Sequence, residues 1–210
     1  MTKEIPTLIL GIGNILWADE GFGVRAVEEF HKRYAVTEPA DKVIDGGTLG
    51  MYLFDDICRC DKLLIFDCCD FHGKPGELRV LHDDEISIWT STKLSPHQDG
   101  MNDLLAAAHL QMSAPNKIVV IAFQPVLLDD YGGSLSQEAK KQLIPAVEAA
   151  FKELKNWDVP LRVRTPNETI ELLNQNSALN MEKYEAERPS QEAADRTGDR
   201  RYAFIRTSQE

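Results

Sequence analysis

The chain has 210 residues, of which 43% are hydrophobic and 27% charged. That is enough apolar material for one domain of ordinary size with a real core, and it excludes a wholly disordered chain. The net charge of −11 excludes nucleic acid and an anionic membrane surface as expected partners.

The N-terminus, MTKEIPTLIL, lacks the long apolar stretch and small-residue cleavage site of a signal peptide. No apolar run approaches the ~20 residues that span a bilayer. A cytoplasmic location and a monomer are expected.

The first element is LILGIGNILWADEGFGV, Leu8 to Val24. Leu8, Ile9 and Leu10 read as a buried strand. Gly11 and Gly13 make a tight turn, Asp19 and Glu20 follow, and a helix begins at Val24 with Val27, Phe30 and Tyr34 on one face. A dinucleotide fingerprint needs a third glycine where Leu16 stands, and a carboxylate about 20 residues on, well short of Asp45. Asp19 and Glu20 also repel an anion at the helix start. The turn suits a cation better, or Asp19 simply caps the helix.

Lys42–Asp45 reads as a second strand ending at Gly46-Gly47, with Thr48 able to cap a helix over 49–58. Leu63 to Asp67 is an apolar run without alternation, the mark of a strand covered on both faces. Residues 77–81 read as an edge strand and 82–99 as a polar loop. A helix is expected over 101–111. Lys117–Phe123 is a second doubly covered strand, leading into Gln124–Gly133. Ser134 and Gln137 read as a capping box for a helix that Pro145 should kink or break. Residues 157–210 hold ten acidic and eight basic side chains with little periodicity. They are expected to form a polar extension, partly disordered or loosely docked and dispensable for folding, in which Tyr202–Ile205 could dock as a short element.

Strands alternating with helices imply a three-layer α/β/α sandwich with a mainly parallel twisted sheet of about five strands, and a catalytic domain over 1–156. Ligands of such sheets bind beyond the carboxyl ends of the strands. Cys58, Cys60, Cys68 and Cys69 lack metal-site spacing, and Cys68 and Cys69, at the end of an apolar strand, read as small buried hydrophobes.

Glu20, Asp67 and His97 fall on that rim. Two carboxylates and an imidazole suit a first-row divalent cation such as nickel or zinc. Nothing local separates His97 from His31, His72, His82 or His109, although His109 reads as a core or boundary residue. Asp70 competes with Asp67.

Together GIGNILWADEGFGVR, the DGGT at Asp45–Thr48, the strand ending in Asp67, SPHQ at Ser95–Gln98 and QPVLLDDYGGSLS at Gln124–Ser136 resemble the [NiFe]-hydrogenase maturation proteases of the uptake-hydrogenase type. The resemblance covers about residues 7–155. It implies a cytoplasmic endopeptidase that removes a C-terminal extension from the hydrogenase large-subunit precursor after nickel insertion. By resemblance the metal-binding and catalytic residues are Glu20, Asp67 and His97, and the substrate-binding residues are Asp45, Gly46, Gly47 and Thr48. Nickel would be carried by the precursor, with other divalent cations as surrogates.

The expected mechanism places the scissile bond near that cation, which polarises the carbonyl and acidifies water, with one carboxylate as general base. The absence of G-x-S-x-G and H-E-x-x-H argues against a serine hydrolase or an ordinary zinc peptidase. The alternative is a non-catalytic nickel-sensing module that binds the loaded precursor.

Overall fold

The computed structural model describes residues 3–82, 85, 86, 89, 96–174, 176–190, 192–194 and 196, with only the backbone of 96–100. The expected element at Tyr202–Ile205 lies outside the described residues, as does Ser95.

In chain order the elements are β1 (Ile5–Ile12), α1 (Phe22–Arg33), β2 (Tyr34–Val36), β3 (Lys42–Gly47), α2 (Phe54–Arg59) and β4 (Cys60–Cys68). They continue with β5 (Leu78–His82), α3 (Pro96–Leu110), β6 (Lys117–Phe123), α4 (Gln137–Asn156), β7 (Leu161–Val163) and α5 (Met181–Ala186). The main sheet has the order β3-β1-β4-β6-β5. All its pairs are parallel except the edge pair β5–β6. The expected α/β sandwich with five strands is the fold.

Strand alternation sorts the core into two layers. Leu8, Leu10, Leu63, Ile65, Val120 and Ala122 pack on the side of α2 and α3. Their neighbours in sequence, Ile9, Leu64, Phe66, Val119, Ile121 and Phe123, pack on the side of α1 and α4. Both faces are apolar, so no hydrophobic-polar alternation shows in the sequence.

Several local expectations change. Helix α3 starts at Pro96 rather than 101, because proline is suited to a first helical turn, where its missing N–H costs nothing. The cap of α4 is Ser136, whose hydroxyl accepts from Ala139 N at 3.1 Å, not Ser134. Thr48 caps nothing: a 3-10 turn over Gly50–Leu53 precedes α2 without a side-chain cap. Helix α4 runs unbroken through Pro145. Pro145 and Lys141, whose carbonyl loses its partner, both lie on the exposed face, where water can serve that carbonyl.

On the C-terminal side the described part of the extension makes specific contacts with the domain. Val159 is buried in the same layer as α1 and α4. Strand β7 pairs antiparallel with β2, Tyr34 opposite Val163. Glu185 bonds to Ser134 and Lys140, and Arg188 pairs with Asp130. A polar segment with little period docks here through a few apolar side chains and specific hydrogen bonds, which periodicity cannot show. Truncation after Trp157 should therefore lower stability by at least about 3 kcal/mol, since it uncovers apolar surface on α1 and removes a buried valine. Thermal unfolding of the truncated chain checks this: an unchanged midpoint would show the segment to be ornamental.

Candidate active site

The strands β1, β3, β4 and β6 all end on one rim, and the turn after β1 is built to bring carboxylates to it. Gly13 has φ +135, and a Cβ there would lie 1.9 Å from the Glu20 carbonyl oxygen. Only glycine lets the two backbones meet. Asn14 N then donates to Glu20 O at 3.2 Å, closing the loop on itself. Gly23 does the matching work on α1: a Cβ would lie 2.2 Å from Phe66 O and 2.3 Å from Ile12 O. The helix start is thereby seated against the ends of β1 and β4. The glycines serve close backbone packing around an acidic turn, not an anion.

The two acids in that turn have separate roles. Asp19 is fully buried. Its carboxylate accepts from Val126 N (3.0 Å), Leu127 N (2.9 Å), Ser136 N (2.7 Å) and Ser136 Oγ (3.0 Å). It is not the cap of α1, whose N-terminus has no side-chain cap. It is the anchor of the loop after β6. Ala18, just before it, holds φ 45, a strained conformation that the buried surroundings impose. The loop is further tied down by Gly132 N donating to Leu16 O at 2.8 Å and by Trp17 packing on Tyr131.

Glu20 is only 5% exposed and Asp67 2%. The 18–21 turn packs against β4, and the charges of Asp67, Asp19 and Glu20 all bear on the Cys68 thiol. That thiol is pushed well up in pKa, first by burial and then by these carboxylates, so it is no nucleophile at neutral pH. Burial likewise pushes Cys60 to about 12. Cys68 and Cys69 are buried, as expected of small hydrophobes, and Cys58 and Cys60 are free and buried as well.

Asp67 Oδ1 accepts from Cys68 N at 2.8 Å, and Oδ2 accepts from Trp89 Nε1 at 2.7 Å. Trp89 is buried and orients the carboxylate. Sequence reading missed it, because it sits in a stretch that looks like polar loop. A tryptophan inside such a stretch was the available signal. Asp70 is held elsewhere: its Oδ1 takes His72 N (2.8 Å) and Gln124 Nε2 (3.0 Å). Gln124 is a second residue missed, bracing the loop after β4 by accepting from Phe71 N and Gly73 N, each at 3.1 Å.

His97 lies on the first turn of α3, on the sheet face that Asp67 shares by alternation with Leu63 and Ile65. Its side chain lies outside the described residues. Among the described residues no trio of His, Cys, Asp or Glu is close enough to hold a metal ion. The other histidines do not border the rim spaces described next. His31 meets Glu171 O at 3.0 Å, and burial lowers its pKa. His72 pairs with Asp70 and His82 with Glu153. His109 is exposed rather than a core or boundary residue, being one position past the buried Ala108 on α3.

Beside the carboxylates lies a cleft of about 450 Å³. The turn Gly13–Leu16 forms one side and Asp45, Gly46, Gly47 and Thr48 another. Gly13 and Gly47 also border a small cavity that reaches Asp67 and Met101, so the cleft and the acid share a boundary. Strand β3 slips register against β1 here, Gly11 opposite Asp45 but Ile12 opposite Gly47, a bulge-like irregularity that falls on the DGGT segment. Burial raises the Asp45 pKa, against hydrogen bonds from Asn174 and Gly47. Its charge therefore subtracts from stability as pH rises through that raised value. Such a cost is tolerated where a carboxylate serves binding.

Residues 24–153 match the hydrogenase maturation protease family. The chain belongs to that family. The hydrogenase expression/formation protein HupD of Bradyrhizobium diazoefficiens is 45% identical over 165 residues, covering 78% of this chain and 85% of the relative. HupM of Azotobacter chroococcum is 41% identical over 204 residues, covering 96% of each. Among solved structures, the hydrogenase maturating endopeptidase HybD from Escherichia coli superposes with a TM-score of 0.70 at 34% identity. That match covers 76% of this chain and 98% of the Escherichia coli chain. The protease is thus an endopeptidase, and its cleft and acidic rim lie where open α/β sheets bind ligands.

Proposed function

We propose that this protease removes a C-terminal segment from the large-subunit precursor of a [NiFe] hydrogenase, and that it acts only once nickel is in place. The observation that carries the reading is the pair of buried carboxylates, Glu20 and Asp67, on a rim that shares a boundary with an open cleft. Two carboxylates converging on one rim give negative potential there, which favours a cation brought in beside them. The nickel belongs to the precursor and enters with it. Glu20 and Asp67, together with His97 from the start of α3, would complete its ligand set, and other divalent cations could stand in. Oxygen and nitrogen donors suit such a borderline ion. Trp89 and the Cys68 amide hold Asp67 in orientation, the role of an outer shell around a ligand.

The cation would polarise the scissile carbonyl and acidify a water molecule, and Glu20 or Asp67 would accept the proton. Asp45, Gly46, Gly47 and Thr48 would hold the precursor segment along the cleft. The protease would work as a monomer in the cytoplasm, a reducing compartment where four unpaired cysteines are at home. No described helix is long and apolar enough to cross a membrane. A non-catalytic nickel-sensing module would use the same ligands, but membership of an endopeptidase family favours catalysis.

The test is direct. Purified protease is mixed with precursor prepared with and without nickel, and the large subunit is sized on a gel. Shortening of the nickel-loaded precursor alone is the expected result. Equal shortening of both forms would remove nickel from the mechanism, and no shortening of either would remove the proteolytic assignment.

A further inference from the structure

The cleft has a third side that its family resemblance does not account for. Leu173, Asn174 and Leu179, all beyond the family match, face the turn after β1 and the end of β3 across it. The endopeptidase from Escherichia coli is spanned almost whole by three quarters of this chain, whereas HupM is matched along nearly its full length. Two contacts fix the wall residues beside the cleft. Arg25, buried on α1 and paired with Glu28 at 3.0 Å, donates to Leu179 O at 2.7 Å. Asn174 Oδ1 accepts from Asn176 N at 2.9 Å, which turns its Nδ2 toward Asp45 Oδ2 at 3.4 Å.

We infer that Leu173, Asn174 and Leu179 form a substrate-selecting wall, reading an apolar side chain of the extended precursor segment that lies in the cleft. This rests on the proteolytic reading above. Leu16 and Leu49 offer partly exposed apolar surface from the two other sides of the cleft. An apolar side chain seated between them and Leu173 would be covered on three sides. Asp45 supplies the one charge among the described residues that line the cleft. The Asn174 amide already satisfies it in the free protein, so a precursor N–H that takes its place gains a partner of the same kind. A cleft closed by apolar residues discriminates by fit, and each lost methylene contact weakens binding by up to two powers of ten. Since Arg25 is engaged through its guanidinium with a backbone carbonyl, it is a positioning residue for the wall and not part of the reacting centre.

Steady-state processing of nickel-loaded precursor separates selection from chemistry. Leu173→Ala should raise KM about tenfold at unchanged kcat, because it removes contact made equally in ground and transition states. Leu173→Met should restore most of it. The same variants should bind the precursor about tenfold more weakly in calorimetric titration, a readout that does not need cleavage. Asn174→Ala serves as a second variant if Leu173→Ala loses cooperative unfolding, and it should also raise KM. A KM and an affinity within twofold of wild type in a folded variant would overturn the wall. So would a fall in kcat at constant KM, which would make the segment a support for the catalytic groups. A wild-type protein that binds the precursor but shortens nothing sinks the proteolytic proposal instead, and the titration still decides the wall.

Discussion

Glu20→Gln should abolish processing, lowering the rate by at least about a thousandfold, while shifting stability by no more than about 1 kcal/mol. The substitution keeps shape and hydrogen-bonding length. It removes the negative charge that would draw in a cation and the basic oxygen that would take up a proton. The Glu20 backbone is fixed by its close approach to Gly13 and by the bond from Asn14 N, and glutamine keeps both, so the turn should survive. The measurement is the initial rate with nickel-loaded precursor, next to a thermal melt. A normal rate would remove Glu20 from the site. A collapsed melt would make it a structural residue like its neighbour.

Asp19→Ala should show the opposite pattern, a loss of about 3 kcal/mol or more. Four donors converge on one fully buried carboxylate, and three of them are backbone N–H groups from the segment 126–136. Removing the acid strands all four. Asp19→Asn should also be costly, since its NH2 would face either the Val126 and Leu127 amides or that of Ser136. Two substitutions one residue apart would then separate chemistry from architecture. Chemical denaturation checks this, and an Asp19→Ala midpoint within ~2 °C of wild type in a thermal melt would contradict it.

The contrast also shows where sequence reading stops. Asp19 and Glu20 stand side by side with the same charge, and no local pattern tells them apart. What separates them is a loop more than 100 residues away, brought over by β6. The same holds for Asp67 and Asp70. One accepts from Trp89, 22 residues on, and the other from Gln124, 54 residues on. Pro145 read as a break because proline usually breaks helices, but the lost bond falls on a carbonyl at the exposed face.

Sequence alone determined the layered α/β architecture, since apolar runs of strand length without alternation, set between helical patterns, fit strands covered on both faces. It also determined the acidic, glycine-rich turn after β1, because the chain can make close backbone contacts only where glycines permit them. Tertiary structure decided which acids are buried at the rim, which one anchors a loop, and that Trp89 holds Asp67. It also decided that a polar C-terminal segment closes the cleft. Those outcomes depend on hydrogen bonds and side-chain contacts between residues far apart in the chain, and periodicity carries no record of partners at that distance.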